Sequence, residues 1–153
     1  MICLGNICRS PMAEGVLQHK LKEYNLDNKV YVDSCGFEQS CLGRQPHRLA
    51  IQTAKKHGIN IENQRQRLFS VDDFDNFDKI YVMDYGNYRS VKYMARNDED
   101  MNKVDYLLNV VYPGSNQPVP DPYGGVEGNY EHAFQLINTA CDGIIEFIKL
   151  KNL

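Results

Sequence analysis

The chain has 153 residues, of which 42% are hydrophobic and 24% charged, with 17 basic against 20 acidic side chains for a formal net charge of -3. That composition fits one soluble globular domain over residues 1–153 with a sizeable core, and it excludes a disordered or collagen-like chain. The mild negative charge gives no global attraction to nucleic acid or to an anionic membrane, no apolar run approaches the roughly 20 residues that span a bilayer, and no charged-then-apolar leader opens the chain, so a cytoplasmic protein with neither partner is expected.

The five cysteines, Cys3, Cys8, Cys35, Cys41 and Cys141, are odd in number and show no Cys-x-x-Cys spacing. A disulfide scaffold and a structural zinc site are both disfavoured by that arithmetic. No metal or organic cofactor is expected.

The first stretch that carries chemistry is Cys3-Leu4-Gly5-Asn6-Ile7-Cys8-Arg9-Ser10-Pro11. The spacing from Cys3 to Arg9 lets the chain curl so that successive backbone N–H groups converge on one tetrahedral oxyanion, with the positive end of the following helix behind them. Gly5 relieves the tightest part of such a curl, Arg9 offers a planar fork for two oxygens, and Pro11 suits a first helical turn. A thiol in these surroundings is favoured as thiolate, which makes Cys3 a candidate nucleophile; the plainer reading is a small buried residue at a strand end. Cys8 has two readings, a reversible disulfide partner for Cys3 or simple packing beneath the loop.

Onward from the loop, the apolar spacing predicts a helix over 11–24, a short strand over 30–33, and a site wall from Ser34 to Gly43 where that strand ends. A second helix is expected over 46–57, with the His57-Gly58 pair as its stop. His47 and His57 read as structural, because a lone histidine near a helix end usually is. Arg65 and Arg67 read as a solvated patch or as loop anchors, ahead of a capped helical turn at 69–73. The clearest strand runs over 78–84, and its exit at Asp84 opens a helix to about Met94, with Asp84 itself suited to the helix entry. Residues 96–102 read as a polar connector, 106–111 as a last strand, 113–120 as a long loop, and 130–150 as an amphipathic helix whose stripe is core.

The long loop delivers Pro120-Asp121-Pro122-Tyr123. An acid held between two prolines has little backbone freedom, which suits a group that must hand a proton to a leaving oxygen; a simple turn aspartate is the alternative. Tyr123 is then an aromatic wall beside the bound ring. Alternating strands and helices along the whole length indicate an α/β domain with helices on both faces of a small, mainly parallel, four-stranded sheet.

The loop from Cys3 to Pro11 resembles the signature of the low-molecular-weight protein tyrosine phosphatases almost letter for letter. The likeness extends to Asp33-Ser34-x-Gly36, Met83-Asp84 and Asp121-Pro122-Tyr123, and so covers nearly the full chain. It implies hydrolysis of phosphotyrosine in a protein substrate, with Cys3 as nucleophile, Arg9 and the amides of Leu4, Gly5, Asn6, Ile7, Cys8 and Ser10 around the phosphate or another oxyanion, and Asp121 as the acid. It assigns Ser34 to holding the loop through Asn6, Asp84 to orienting site residues, Ser10 to the thiolate, and Phe37 with Tyr123 to the substrate's ring.

Departures from the family pattern set further expectations. Only Met1 and Ile2 precede Cys3, where a strand usually takes about five or six residues, so the central strand is expected to be cut short or replaced by another segment. Phe37 substitutes for an aromatic that relatives place near Ser40, and Gly124 replaces a second tyrosine, which removes support for regulation through a tyrosine pair. Arsenate reductases of the same fold need extra cysteines that 81–90 lacks, arginine phosphatases are similar but carry threonine where Ile7 stands, and a non-catalytic phosphotyrosine-binding module is the alternative outside the enzymes.

Overall fold

The structure, a computed structural model, describes residues 1–152. Its sheet is parallel and built from very short pieces. Strands β1 (Ile80–Val82) and β2 (Val104–Tyr106) are the regular pair, in the register Ile80↔Val104 and Val82↔Tyr106. On the other side of β1, Ile2 bridges Val82 and Cys35, and Gly36 bridges Leu68, all in parallel.

The central position is therefore taken by Ile2 itself and not by a substitute segment. Its N–H donates to Tyr81 O at 2.8 Å and its carbonyl accepts from Met83 N at 3.2 Å, while Cys35 N donates to Met1 O at 3.0 Å. One paired residue thus aims Cys3 out of the sheet's C-terminal end. Side chains alternate as a pleat requires: Ile2, Cys35, Ile80 and Val82 enter one core with Phe69, Phe74, Val91 and Tyr106, whereas Cys3, Tyr81 and Met83 meet the other.

That second and larger core is made by three helices. Helix α1 (Arg9–Glu23) and α2 (Arg48–Lys56) pack on the long α6 (Glu127–Leu150), with Met12, Val16, Ala50, Ala54, Phe134, Ile137 and Ile145 at the contact. On the opposite face lie α3 (Asp72–Asn76), α4 (Tyr85–Met94) and α5 (Asp98–Asn102). The mixed α/β class with helices on both faces follows the sequence expectation. Among the described residues, no helix is long and apolar enough to cross a membrane.

Several boundaries differ from expectation, each for a physical reason. Residues 30–33 form no strand, because Met1–Cys3 meets that segment only from Asp33 onward, where the Met1 ammonium donates to Asp33 O at 3.0 Å. The last strand sits at 104–106 and not at 106–111: Leu107–Val110 is a 3-10 turn whose Asn109 amide ties Asp105 (2.6 Å) to Asn116 (2.8 Å). The supposed connector at 96–102 contains α5, capped by the Asn97 side chain, which accepts from Asp100 N at 2.9 Å. Helix α1 begins two residues before Pro11, since a proline in the first turn forfeits only an N–H that has no intrahelical partner. Helix α6 begins three residues before Tyr130, with the Asn129 side chain reaching back to accept from Val126 N at 2.9 Å.

Candidate active site

The loop from Cys3 to Ser10 is held by a hydrogen-bond chain whose direction one backbone group decides. Asn6 has the left-handed φ of 52°, so the curl turns at Asn6 and not at Gly5 as expected. Arg67 N donates to Asn6 Oδ1 at 3.1 Å, which obliges the amide nitrogen Nδ2 to face Ser10 Oγ (2.8 Å) and Ser34 Oγ (2.9 Å). Each hydroxyl therefore accepts from Asn6 and turns its own proton elsewhere. Ser34 donates to Glu14 Oε2 at 2.5 Å; Ser10 is left to donate to Cys3 Sγ at 3.0 Å, with Cys35 O at 3.4 Å as the weaker option. Asn6 N adds a second donor to Cys3 Sγ at 3.2 Å.

This order matters chemically. A sulfur that faces two donors is set up as a hydrogen-bond acceptor, a role in which an anionic sulfur is stronger than a neutral one. Gly36 lets the frame close around it, since a Cβ there would stand 2.7 Å from Leu4 O and 2.9 Å from Asn6 N.

Arg9 is buried, and its Nη1 donates to Asp84 Oδ2 at 2.7 Å and to Val119 O at 3.0 Å. The other Asp84 oxygen accepts from Asn87 N at 2.9 Å. The Asp84 carboxylate thus caps α4 and holds the Arg9 guanidinium. Arg9 Nε is buried with no hydrogen-bond partner among the described residues. The amides of Gly5, Ile7, Cys8 and Arg9 likewise donate to no protein group there. An unpaired buried donor such as Arg9 Nε costs about 1–3 kcal/mol, so it fits, together with the amides beside it, an anion that supplies several acceptors at once.

Asp121 faces this loop at arm's length. Its Oδ2 is 3.5 Å from Arg9 Nη2, its Oδ1 accepts from Tyr123 N at 3.2 Å, and its side chain is 48% exposed. The loop that carries it is anchored just upstream, where Val119 N donates to Met83 O at 2.8 Å. Tyr123 is 64% exposed and meets the His47 ring edge-on at 5.8 Å. His47 in turn stacks on Tyr130 at 5.5 Å, gives its N–H to Ile7 O at 2.6 Å and accepts from Leu49 N at Nδ1. Burial and the nearby Arg48 hold its pKa below the ordinary value, so it stands as a neutral support of the aromatic wall.

The other cysteines are buried free thiols. Cys8 Sγ lies 3.4 Å from Tyr130 Oη, and burial, opposed by that hydrogen bond, pushes its thiol up to about 12. A disulfide with Cys3 requires Cys8 first to leave Tyr130 and lose its proton. The Phe37 ring packs on Phe69 at 5.6 Å, and its backbone N–H donates to Leu4 O at 2.8 Å. His57 packs on Phe134 at 4.2 Å and pairs with Glu131, far in role from chemistry. Sequence reasoning missed Glu14, whose only signal is an acid on an otherwise apolar helix face four residues after Ser10. It also missed the backbone of Arg67, which no residue type announces. Among the described residues, no cluster of three or more His, Cys, Asp or Glu side chains could hold a metal.

Residues 1–152 match the profile of the family described as Low molecular weight phosphotyrosine protein phosphatase. The chain is also similar to the low molecular weight protein-tyrosine-phosphatase YfkJ of Bacillus subtilis, 35% identical over 148 residues that cover 97% of this chain and 93% of that one. The chain belongs to the low molecular weight phosphotyrosine protein phosphatase family. Its structure superposes on the crystal structure of YfkJ with a TM-score of 0.90 at 34% identity, covering 99% of this chain and 94% of that one. It is similar as well to Vibrio vulnificus Wzb in complex with benzylphosphonate (TM-score 0.82, 29% identity, 95% and 94% covered). A third neighbour is a Drosophila arginine phosphatase (TM-score 0.88, 31% identity, 97% and 95% covered). Within this family, the cradle from Cys3 to Ser10 takes its place as the candidate phosphate loop.

Proposed function

We propose that the chain is a single cytoplasmic domain that hydrolyses phosphotyrosine in proteins, and aryl phosphates generally, through a cysteinyl-phosphate intermediate. The observation that carries this reading is the pairing of a sulfur facing two donors with a buried arginine whose Nε is unpartnered. Cys3 thiolate attacks phosphorus as the bond to the phenolic oxygen breaks, and Asp121 gives that oxygen a proton. Arg9 and the free amides hold the equatorial oxygens. Water then attacks phosphorus, Asp121 takes back the proton, the sulfur–phosphorus bond breaks, and inorganic phosphate leaves with the thiolate restored.

Leu4, Gly5, Asn6, Ile7, Cys8 and Ser10 frame the oxyanion in this scheme, Ser34 and Asp84 brace the loop, and Tyr123 lines the ring. Hydrolysis of phosphotyrosine and of a nitrophenyl phosphate by the wild-type chain and by Cys3→Ser tests it. Turnover is expected to vanish in the variant, and undiminished turnover would refute the mechanism. The Drosophila neighbour makes phosphoarginine the second substrate to assay. Ile7, half-buried against the larger core, gives the loop an apolar flank suited to a phenyl ring.

A further inference from the structure

Helix α4 turns one face to the sheet and leaves two neighbouring stripes in the open. Asn87 and Val91 are buried, whereas Tyr85, Arg89 and Tyr93 recur every fourth residue on the outside. Beside them, Gly86, Ser90 and Met94 line, together with Phe37, an open groove of about 480 Å³.

Two residues of the groove's lining, Phe37 and Gly86, neighbour the candidate active site. Phe37 N and Glu38 N both donate to Leu4 O, the carbonyl next to Cys3. Gly86 adjoins Asp84, the clamp on Arg9, and a Cβ at Gly86 would lie only 3.3 Å from Asp84 Oδ1. The missing side chain keeps the groove open at the end nearest the arginine. From Gly86 to Met94 the helix rises roughly 12 Å, the length of about four residues of extended peptide.

Arg89 is the one charged side chain among the residues that line the groove. Arg89 makes no ion pair among the described residues, and its guanidinium lies over the Tyr85 ring, 5.9 Å from the centroid. Asp84, five residues before Arg89, is already engaged with Arg9 and with Asn87 N. An exposed arginine among Phe37, Tyr85, Tyr93 and Met94 is the composition of a binding hot spot. It is not the composition of a solvated helix face.

We propose that this groove seats the segment flanking the phosphotyrosine of a protein substrate, and that Arg89 selects an acidic residue in it. The proposal rests on the phosphatase reading above and adds the substrate class to it. The apolar stripe receives the backbone and side chains of the extended segment, and the guanidinium takes a carboxylate fork to fork.

The test compares three substrates with wild-type, Arg89→Glu and Tyr93→Ser proteins: nitrophenyl phosphate, a phosphotyrosyl peptide flanked by aspartates, and the same peptide flanked by lysines. Both substituted side chains are exposed and lie outside the Cys3 loop. Wild type is expected to favour the acidic peptide about fivefold in kcat/KM, mainly through KM, with a preference that fades as salt rises. Arg89→Glu should reverse that preference and Tyr93→Ser should weaken both peptides alike, while nitrophenyl phosphate turnover stays within about twofold. Equal treatment of the two peptides by a wild type that hydrolyses nitrophenyl phosphate would overturn the groove and spare the phosphatase. So would a preference that survives Arg89→Glu. Failure to hydrolyse nitrophenyl phosphate would remove the phosphatase reading, and the groove's assignment with it.

Discussion

The two loops that meet at Arg9 are built on opposite principles. From Cys3 to Ser10, the polar side chains are locked: Asn6 makes three bonds with a direction fixed by Arg67 N, and Ser10 and Ser34 each have an assigned acceptor. The loop of Asp121 is held at its shoulders, by Val119 on Met83 O and on Arg9, while the carboxyl itself is half-exposed and keeps only a 3.5 Å approach to the arginine. The difference fits the two tasks proposed for Cys3 and Asp121. A nucleophile must sit at a fixed distance from phosphorus, where misplacement by about 1 Å can cost 10²-fold. An acid must follow a leaving oxygen that moves away, and then address a water.

Arg9 is the joint, so breaking it tests both loops at once. Arg9→Lys is expected to lower kcat/KM for every aryl phosphate by about 10²–10³-fold, because an ammonium cannot hold Asp84, Val119 O and an oxyanion together. A loss of less than about tenfold would show that the clamp on Asp84 and Val119 is not needed for catalysis. Asp121→Ala separates the loops. It should cut kcat about 10²-fold for phosphotyrosine, whose phenolate needs a proton, and much less for nitrophenyl phosphate, whose anion departs without one. An equal loss on both substrates would mean that Asp121 acts through Arg9 and the phosphate loop, and would dissolve the distinction.

These two loops were also unequally legible in the sequence. The phosphate loop is local: nine consecutive residues carry the thiol, the fork and the turn, so spacing alone placed Cys3, Arg9 and Ser10 together. Its brace is not local. Glu14 reaches Ser34 across twenty positions, and the decisive donor to Asn6 is a backbone N–H at Arg67. The sheet was hard to read for a related reason. Pairing at Ile2, Cys35 and Gly36 is one residue deep, too short for a period-two pattern, whereas Val30 to Asp33 had strand composition without forming a strand. Leu107 and Leu108 misled in the same way, since burial in a turn and burial in a strand leave the same apolar pair. Phe37 was assigned to the substrate ring by the family likeness, and in the structure it packs on Phe69 and lines the groove beside α4.

The smallest expected effect concerns what the locked loop costs. Burial raises the Glu14 carboxyl above its ordinary pKa, and Asp33 adds to this, while the Ser34 and Gln18 hydrogen bonds and the Met1 ammonium pull the other way. A carboxyl whose pKa is raised on folding binds its proton more tightly in the folded state. Stability is therefore undiminished below the unfolded value of about 4.3 and falls as pH climbs from there through the folded value. Glu14→Gln removes that titration yet keeps an oxygen for Ser34 to donate to. The difference in urea midpoint between variant and wild type should accordingly move in the variant's favour between pH 4 and pH 7, with kcat on phosphotyrosine held within about twofold. A difference that does not change with pH would mean that the ionised acid carries no burial cost. If kcat falls while stability rises, the charge of Glu14 itself, and not merely an acceptor, sets the order of protons that ends at Cys3.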